Sequence, residues 1–281
     1  MWEPRGHADM YGGWLGPPTA DGSDLSVLFL HNEGFSTMCG HGIIALTKVV
    51  LDTGILPATE PETELTIDTP AGQVRATALV EKGTVVATRF VNVPSFVLEL
   101  DAEVDVPGGG NVSYDLAFGG AFYAVVEAES AGVDLDDVAG LISAGRAIKG
   151  AVTGSRSIEH PVDGELSFLY GVIFTGPARR RGNHSRNVCV FADGEVDRSP
   201  TGTGVSARLA ILAARDQVAI GDEIVVESVV GSEFTGRVVD ITDVGRHPAV
   251  VPEVGGTAHI TGRAELWQDP ADELGRGFLL R

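Results

Sequence analysis

Along most of this chain apolar and β-branched residues alternate with polar ones, over residues 25–30, 65–67, 85–91, 122–126, 188–191, 224–230 and 237–241. Period-two alternation sends successive side chains to opposite faces, so each stretch predicts a strand, and Gly, Pro and Asp mark the turns between them. Two stretches break that rhythm. Residues 42–52 and 204–215 are apolar around nearly the whole helical circumference, which predicts helices buried within sheet. A third, more amphipathic helix is predicted over about 135–147, with Asp134 or Asp136 near its start and one face in water.

Both buried helices open on one pattern, Cys39-Gly-His-Gly-Ile-Ile-Ala45 and Thr201-Gly-Thr-Gly-Val-Ser-Ala207. A repeated motif in a chain of 281 residues, longer than one core comfortably serves, predicts two related halves. The junction is expected at Val106-Pro-Gly-Gly-Gly-Asn111, where nothing apolar needs burial. A second crossing near Gly255-Gly256 would let residues 257–267 add a strand elsewhere. The expected halves are 1–110 plus about 256–281, carrying Cys39, and 111–255, carrying Thr201.

Composition narrows the function classes. With 43% hydrophobic and 21% charged residues the chain reads as soluble and globular, and no apolar run approaches the ~20 residues of a membrane span. The opening Met1-Trp-Glu-Pro-Arg-Gly-His has no secretory-signal character, and Cys39 and Cys189 are too few for a disulfide framework, so a reduced, cytoplasmic setting is expected. A net charge of −19 argues against nucleic acid, whose phosphates require clustered Lys and Arg; Arg179-Arg-Arg181 reads as a solvated loop.

The chemistry gathers at the two helix starts. Helix N-termini expose unpaired N–H groups and the positive end of the helix dipole, so a glycine-rich start cradles an anion. A thiol placed there is favoured as thiolate, which makes Cys39 a candidate proton-abstracting base. The hydroxyl of Thr201 is too weak an acid to return a proton unaided, so the pair suggests a one-sided reaction. If the halves face each other, both helix starts grip one small carboxylate. Plainer readings exist. The glycines could serve tight turns, with Cys39 a buried small hydrophobe. Gly202-Thr-Gly204-Val-Ser-Ala207 has the form of a dinucleotide fingerprint, but without a strand directly before it or alternating β and α elements around it. Cys39, His41, His184 and Cys189 could ligate zinc, but a single Cys-x-His has no matching second pair. Cys189, inside the strand-like Asn187-Val-Cys-Val-Phe191, reads as a core residue.

Met38-Cys39-Gly40-His41-Gly42 together with Asp197-Arg-Ser-Pro-Thr201-Gly202-Thr203-Gly204 resembles the proline racemase superfamily. Asn32-Glu-Gly-Phe-Ser36, Phe118-Gly-Gly-Ala-Phe-Tyr123 and Gly231-Ser-Glu-Phe-Thr-Gly236 extend the likeness along nearly the whole chain. The resemblance implies an α/β (α+β) fold of two pseudo-symmetric domains, each a mostly antiparallel sheet wrapped around a buried central helix, diaminopimelate epimerase-like. It also implies a cleft between them for a proline-type amino acid. In that family two opposed cysteines remove and return the α-proton, and members with threonine in the second place, as at Thr201, are similar to trans-3-hydroxy-L-proline dehydratases. By the same resemblance Cys39 is the base, and Gly40, His41, Gly202 and Thr203 contact the substrate carboxylate or neighbouring atoms. Asp197 pairs with the ring ammonium, and no metal or redox cofactor is required. His41 is also a candidate to assist the leaving hydroxyl. The family pattern further implies several dozen residues, with a His-Thr-Gly-Gly-type stretch, ahead of the segment that opens this sequence.

Stereochemistry gives a separate reason for a single base. In the trans-3-hydroxy compound the hydroxyl lies opposite the carboxylate and shares a ring face with the α-hydrogen, so one base on that face suffices. The expected activity is cofactor-independent dehydration of trans-3-hydroxy-L-proline to Δ1-pyrroline-2-carboxylate, with Cys39 and Thr201 as the catalytic pair. The rivals are a proline racemase or 4-hydroxyproline 2-epimerase, and a non-catalytic amino-acid-binding protein. The partner expected is a small-molecule substrate, with a homodimer left open.

Overall fold

The computed structural model describes residues 1–280. Its strands are β1 (Gly12–Gly16), β2 (Leu25–His31), β3 (Gly34–Ser36), β4 (Glu62–Thr69), β5 (Gly72–Glu81), β6 (Thr84–Val91), β7 (Ser95–Val106) and β8 (Gly110–Phe118). They continue with β9 (Phe122–Glu127), β10 (Leu169–Gly176), β11 (Ser185–Phe191), β12 (Glu195–Val196), β13 (Glu223–Glu227), β14 (Glu233–Val244) and β15 (His247–Gly256). The helices are α1 (Gly40–Asp52), α2 (Val138–Ser155) and α3 (Gly202–Ala214).

All strands belong to one hydrogen-bonded sheet, ordered β1-β2-β4-β5-β6-β15-β14-β13-β11-β10-β9-β8-β7, with β3 on β2 and β12 on β11. Pairing is antiparallel except between β2 and β4, β9 and β10, and β11 and β13. The strand that joins the halves is β15. It pairs with β14 along its length, while Glu253–Gly256 face Val91–Thr88 of β6, and Ala249 and Val250 face Phe96 and Ser95 of β7. Thus β6 and β7 follow one another along a single edge of β15, with residues 92–94 between them.

Core packing runs from one half into the other. One core gathers Phe29, Ile43, Ile44, Ile67 and Phe90 around α1 and continues into Val205 and Leu209 of α3, Phe234 and Val254. Another gathers Phe96, Leu116, Phe122, Leu141 and Phe174 between α2 and the sheet. Helix α3 is buried at every position from Gly202 to Leu212 except Arg208, as its missing polar face requires, and it packs against β7, β8, β9, β14 and β15. Each fully buried Leu, Ile or Val there contributes about 1.5–3 kcal/mol. Helix α1 packs on β5, β6 and β15.

Several expectations need correction. The proposed junction at 106–111 is the turn of the β7–β8 hairpin, in which Val106 faces Gly110, and both strands feed one core. We therefore propose the division at 92–94. Residues 257–267 form no strand; beyond them Glu3 and Phe278 make an isolated bridge, so the two ends of the chain meet. Helix α2 starts later than predicted, on Asp137, whose Oδ1 accepts from Gly140 N at 3.0 Å, and it runs on to Ser155 through residues too small to show an apolar stripe. The strand expected over 224–230 stops at Glu227, whose carboxylate turns to accept from the amides of Arg179 and Arg180, both at 2.8 Å.

The two buried helices meet end to end. A Cβ on Gly40 would lie 2.5 Å from Gly202 Cα, and one on Gly202 would lie 2.6 Å from Gly40 Cα, with the Phe90 ring closing the third side of the contact. Only glycine permits this approach. Gly40→Ala or Gly202→Ala is expected to destabilise the fold by about 1–3 kcal/mol through overpacking, read as a lower urea midpoint. Gly150→Ala on α2, where a new Cβ meets nothing within 4 Å, is expected to be neutral or to stabilise by up to about 1 kcal/mol.

Candidate active site

Cys39 is the N-cap of α1. Its backbone is extended (φ −144°, ψ 110°), and its Sγ accepts from Gly42 N at 3.3 Å. Ahead of it, Met38 rests on Gly120, whose φ of +104° lets the β8–β9 turn press against both Met38 and Thr203. A side chain on neighbouring Gly119 would lie 2.1 Å from Thr203 O, which accounts for the paired glycines after Phe118.

Thr201 occupies the matching position on α3 in a different conformation. Its φ is +66°, a left-handed backbone that is unfavourable for a β-branched residue and costs on the order of 1–3 kcal/mol. Three hydrogen bonds hold it there. Its N–H donates to Ser199 Oγ at 3.0 Å, its hydroxyl donates to Asp197 Oδ2 at 2.9 Å, and its carbonyl accepts from Val205 N at 2.7 Å. The Thr201 proton is therefore already committed to a carboxylate.

Asp197 is the hub. Its Oδ1 accepts from Ser199 N at 2.8 Å, and its Oδ2 lies 3.2 Å from His41 Nδ1, which joins α1 to the loop before α3. Burial disfavours the His41 cation, but the Asp197 carboxylate and the Cys39 sulfur outweigh it and hold the imidazole well above the ordinary histidine range. Burial likewise raises Asp197, yet His41 and the Ser199 contacts leave it below the usual carboxylate range. The histidine's contribution to stability is present below its unfolded pKa and is lost as pH rises through the raised folded value. That of Asp197 is present above its unfolded pKa and is lost as pH falls through the lowered one. The pair is thus strongest between those two limits.

All seven residues singled out from the sequence, Cys39, Gly40, His41, Asp197, Thr201, Gly202 and Thr203, line one tightly closed cavity of about 10 Å³. In the first turns, Gly42 N is taken by Cys39 Sγ, Ile43 N by Cys39 O and Val205 N by Thr201 O. Earlier amides at Gly40, His41, Gly202 and Thr203 have no intrahelical partner and meet where the glycines touch. Past His41 and Asp197 the cavity adjoins a wide groove of about 1250 Å³, with α1, β5 and β6 on one side and residues 196–199 and 230–235 on the other. Cys189 lines the cavity as well as the core, whereas His184 sits apart with its Nδ1 2.9 Å from Ser185 Oγ. Tyr11, Tyr123, Tyr170, Phe191 and Ser199 were missed from the sequence. Ser199 lay within the Asp-Arg-Ser-Pro motif, while the aromatics come from distant strands with no local signal.

Two half-sheets that each bring a glycine-rich helix start to a single thiol-bearing cavity define an enzyme class acting beside the carboxylate of a small amino acid. The chain belongs to the proline racemase family, which it matches over residues 1–279. It is 46% identical over 283 residues to a trans-3-hydroxy-L-proline dehydratase from Colwellia psychrerythraea, covering all of this chain and 80% of that one. It is 45% identical over 283 residues to a 3-hydroxyproline 2-epimerase from Burkholderia multivorans, covering all of this chain and 84% of that one. Among solved structures, a hydroxyproline epimerase from Agrobacterium vitis with bound trans-4-hydroxy-L-proline superposes with a TM-score of 0.95 at 33% identity, covering all of this chain and 81% of that one. The fold is the pseudo-symmetric, sheet-dominated architecture expected from the sequence. Among the described residues no helix is long and apolar enough to cross a membrane.

Replacing Asp197 with Asn removes the main charge that raises His41. Histidine NMR titration is expected to find His41 above the ordinary range in the unchanged protein and moved downward in Asp197→Asn.

Proposed function

We propose that this protein dehydrates trans-3-hydroxy-L-proline to Δ1-pyrroline-2-carboxylate, with Cys39 as the base. The observation that carries the reading is the asymmetry of the two helix starts. Cys39 presents sulfur to the cavity at one, while the Thr201 hydroxyl at the other is turned into Asp197 at 2.9 Å. The unpartnered amides of both helix starts suit the substrate carboxylate, and the buried Asp197 suits the ring ammonium.

Cys39 takes the α-proton, the C–H electron pair becomes the ring double bond, and the C3–O bond breaks as the departing hydroxyl receives a proton and leaves as water. The enamine then tautomerises to the pyrroline. No electrons are gained or lost overall, so the reaction needs no redox carrier. A cytoplasmic setting belongs to the same proposal, supported by two cysteines that are both free. So does a homodimer, supported by the exposed Trp14, Leu28 and Phe35 on the outer face of β1–β3 and tested by light scattering.

The 45%-identical epimerase favours a second reading, inversion at C2. That reaction needs an acid on the far ring face, where the Thr201 hydroxyl is held as a hydrogen-bond donor to Asp197. Cys39→Ser is expected to lower pyrroline formation about 10²–10⁴-fold, the range for loss of a general base. Thr201→Cys is expected to add epimer formation, followed by proton NMR. Full turnover by Cys39→Ser would refute the base assignment.

A further inference from the structure

Hydroxide is a poor leaving group, so the elimination proposed above, on which this inference rests, needs a proton donor on the Cys39 side. The polar groups around the cavity are mostly committed. Thr201 donates to Asp197, His41 Nδ1 is shared between Asp197 and Ser199 Oγ at 3.2 and 3.3 Å, and Tyr123 OH is paired with Thr203 Oγ1 at 2.7 Å. Two phenols remain.

Tyr11, just ahead of β1, and Tyr170, on β10, both line the cavity beside Cys39. The Tyr11 ring stands edge-on to His41 with centroids 5.3 Å apart, and Tyr170 stacks on Phe191 at 5.4 Å while meeting Tyr123 edge-on at 5.8 Å. Packing on these rings fixes where both hydroxyls point. The two phenols interact with each other and with buried Ser36. Ser36 Oγ also lies 3.0 Å from Met38 O, at the foot of the loop that carries Cys39. Its contact with the phenols acts to lower both, so it favours the phenolate that proton donation leaves.

We propose that the Tyr11–Tyr170 phenol pair is the general acid that protonates the departing 3-hydroxyl. Burial holds both phenols well above the usual tyrosine range, so both keep their protons at neutral pH. In the elimination the α-proton passes to Cys39 Sγ, the C–H pair forms the C2–C3 double bond, and the C3–O bond breaks. The phenol O–H supplies the proton that makes water. A thiol and a phenolate remain, and one proton exchanged through solvent restores thiolate and phenol.

The test uses two substrates that differ only in the leaving group, trans-3-hydroxy-L-proline and trans-3-fluoro-L-proline, since fluoride departs without a proton. Tyr11→Phe, Tyr170→Phe and the double variant keep the ring packing, and thermal unfolding checks the fold. The double variant is expected to lose about 10²-fold or more in kcat on the hydroxy compound and only a few-fold on the fluoro compound; the single variants assign the donor. Equal losses on both substrates would show a merely structural role, and no loss on the hydroxy compound would exclude the pair as acid. Failure of the unchanged protein to convert either compound would overturn the dehydratase reading itself, and this inference with it.

Discussion

The contact between Gly40 and Gly202 governs the rest of the molecule. It places the positive ends of two helices against one another, an arrangement that repels unless negative charge lies nearby. Burial makes the encounter possible, since α3 is enclosed by β7, β8, β9, β14 and β15, and β15 ties that enclosure to the sheet around α1. Asp197 supplies local negative charge, and a substrate carboxylate would add more. One steric fact, the absence of a side chain at either position, thus lets the two helix starts meet.

The charge distribution around that contact is unequal. Asp197 belongs to the loop before α3 but reaches His41 on α1, so it couples the halves electrostatically while accepting the Thr201 hydrogen bond. The left-handed backbone at Thr201 is the strain required to aim that hydroxyl inward. Symmetry of fold is retained, and symmetry of chemistry is lost.

The helices at this junction were legible because α1 and α3 lack a polar face, and the motif residues were legible because they lie next to one another at the helix starts. Strands with clean alternation, such as β2 and β6, were legible too. The linking strand β15 was not, because Pro248 and Pro252 argue against a strand in sequence; here Pro252 faces Val238, and its carbonyl accepts from Asn92 N at 2.9 Å. The glycine run at 107–110 announced a turn, but composition does not separate a hairpin turn from a linker between domains. Tyr123 and Tyr170 reach the cavity through the parallel pairing of β9 with β10, a long-range relation that no local pattern encodes.

The central claim is a one-sided reaction at a two-sided junction. It is tested most directly by proton NMR of trans-3-hydroxy-L-proline half converted by the unchanged protein in D2O, with the remaining substrate recovered and its C2 configuration determined. The account predicts pyrroline product and recovered substrate of unchanged configuration, whether or not its α-position has exchanged. Growth of the C2 epimer alongside the product would contradict it, by revealing an acid at work on the Thr201 face.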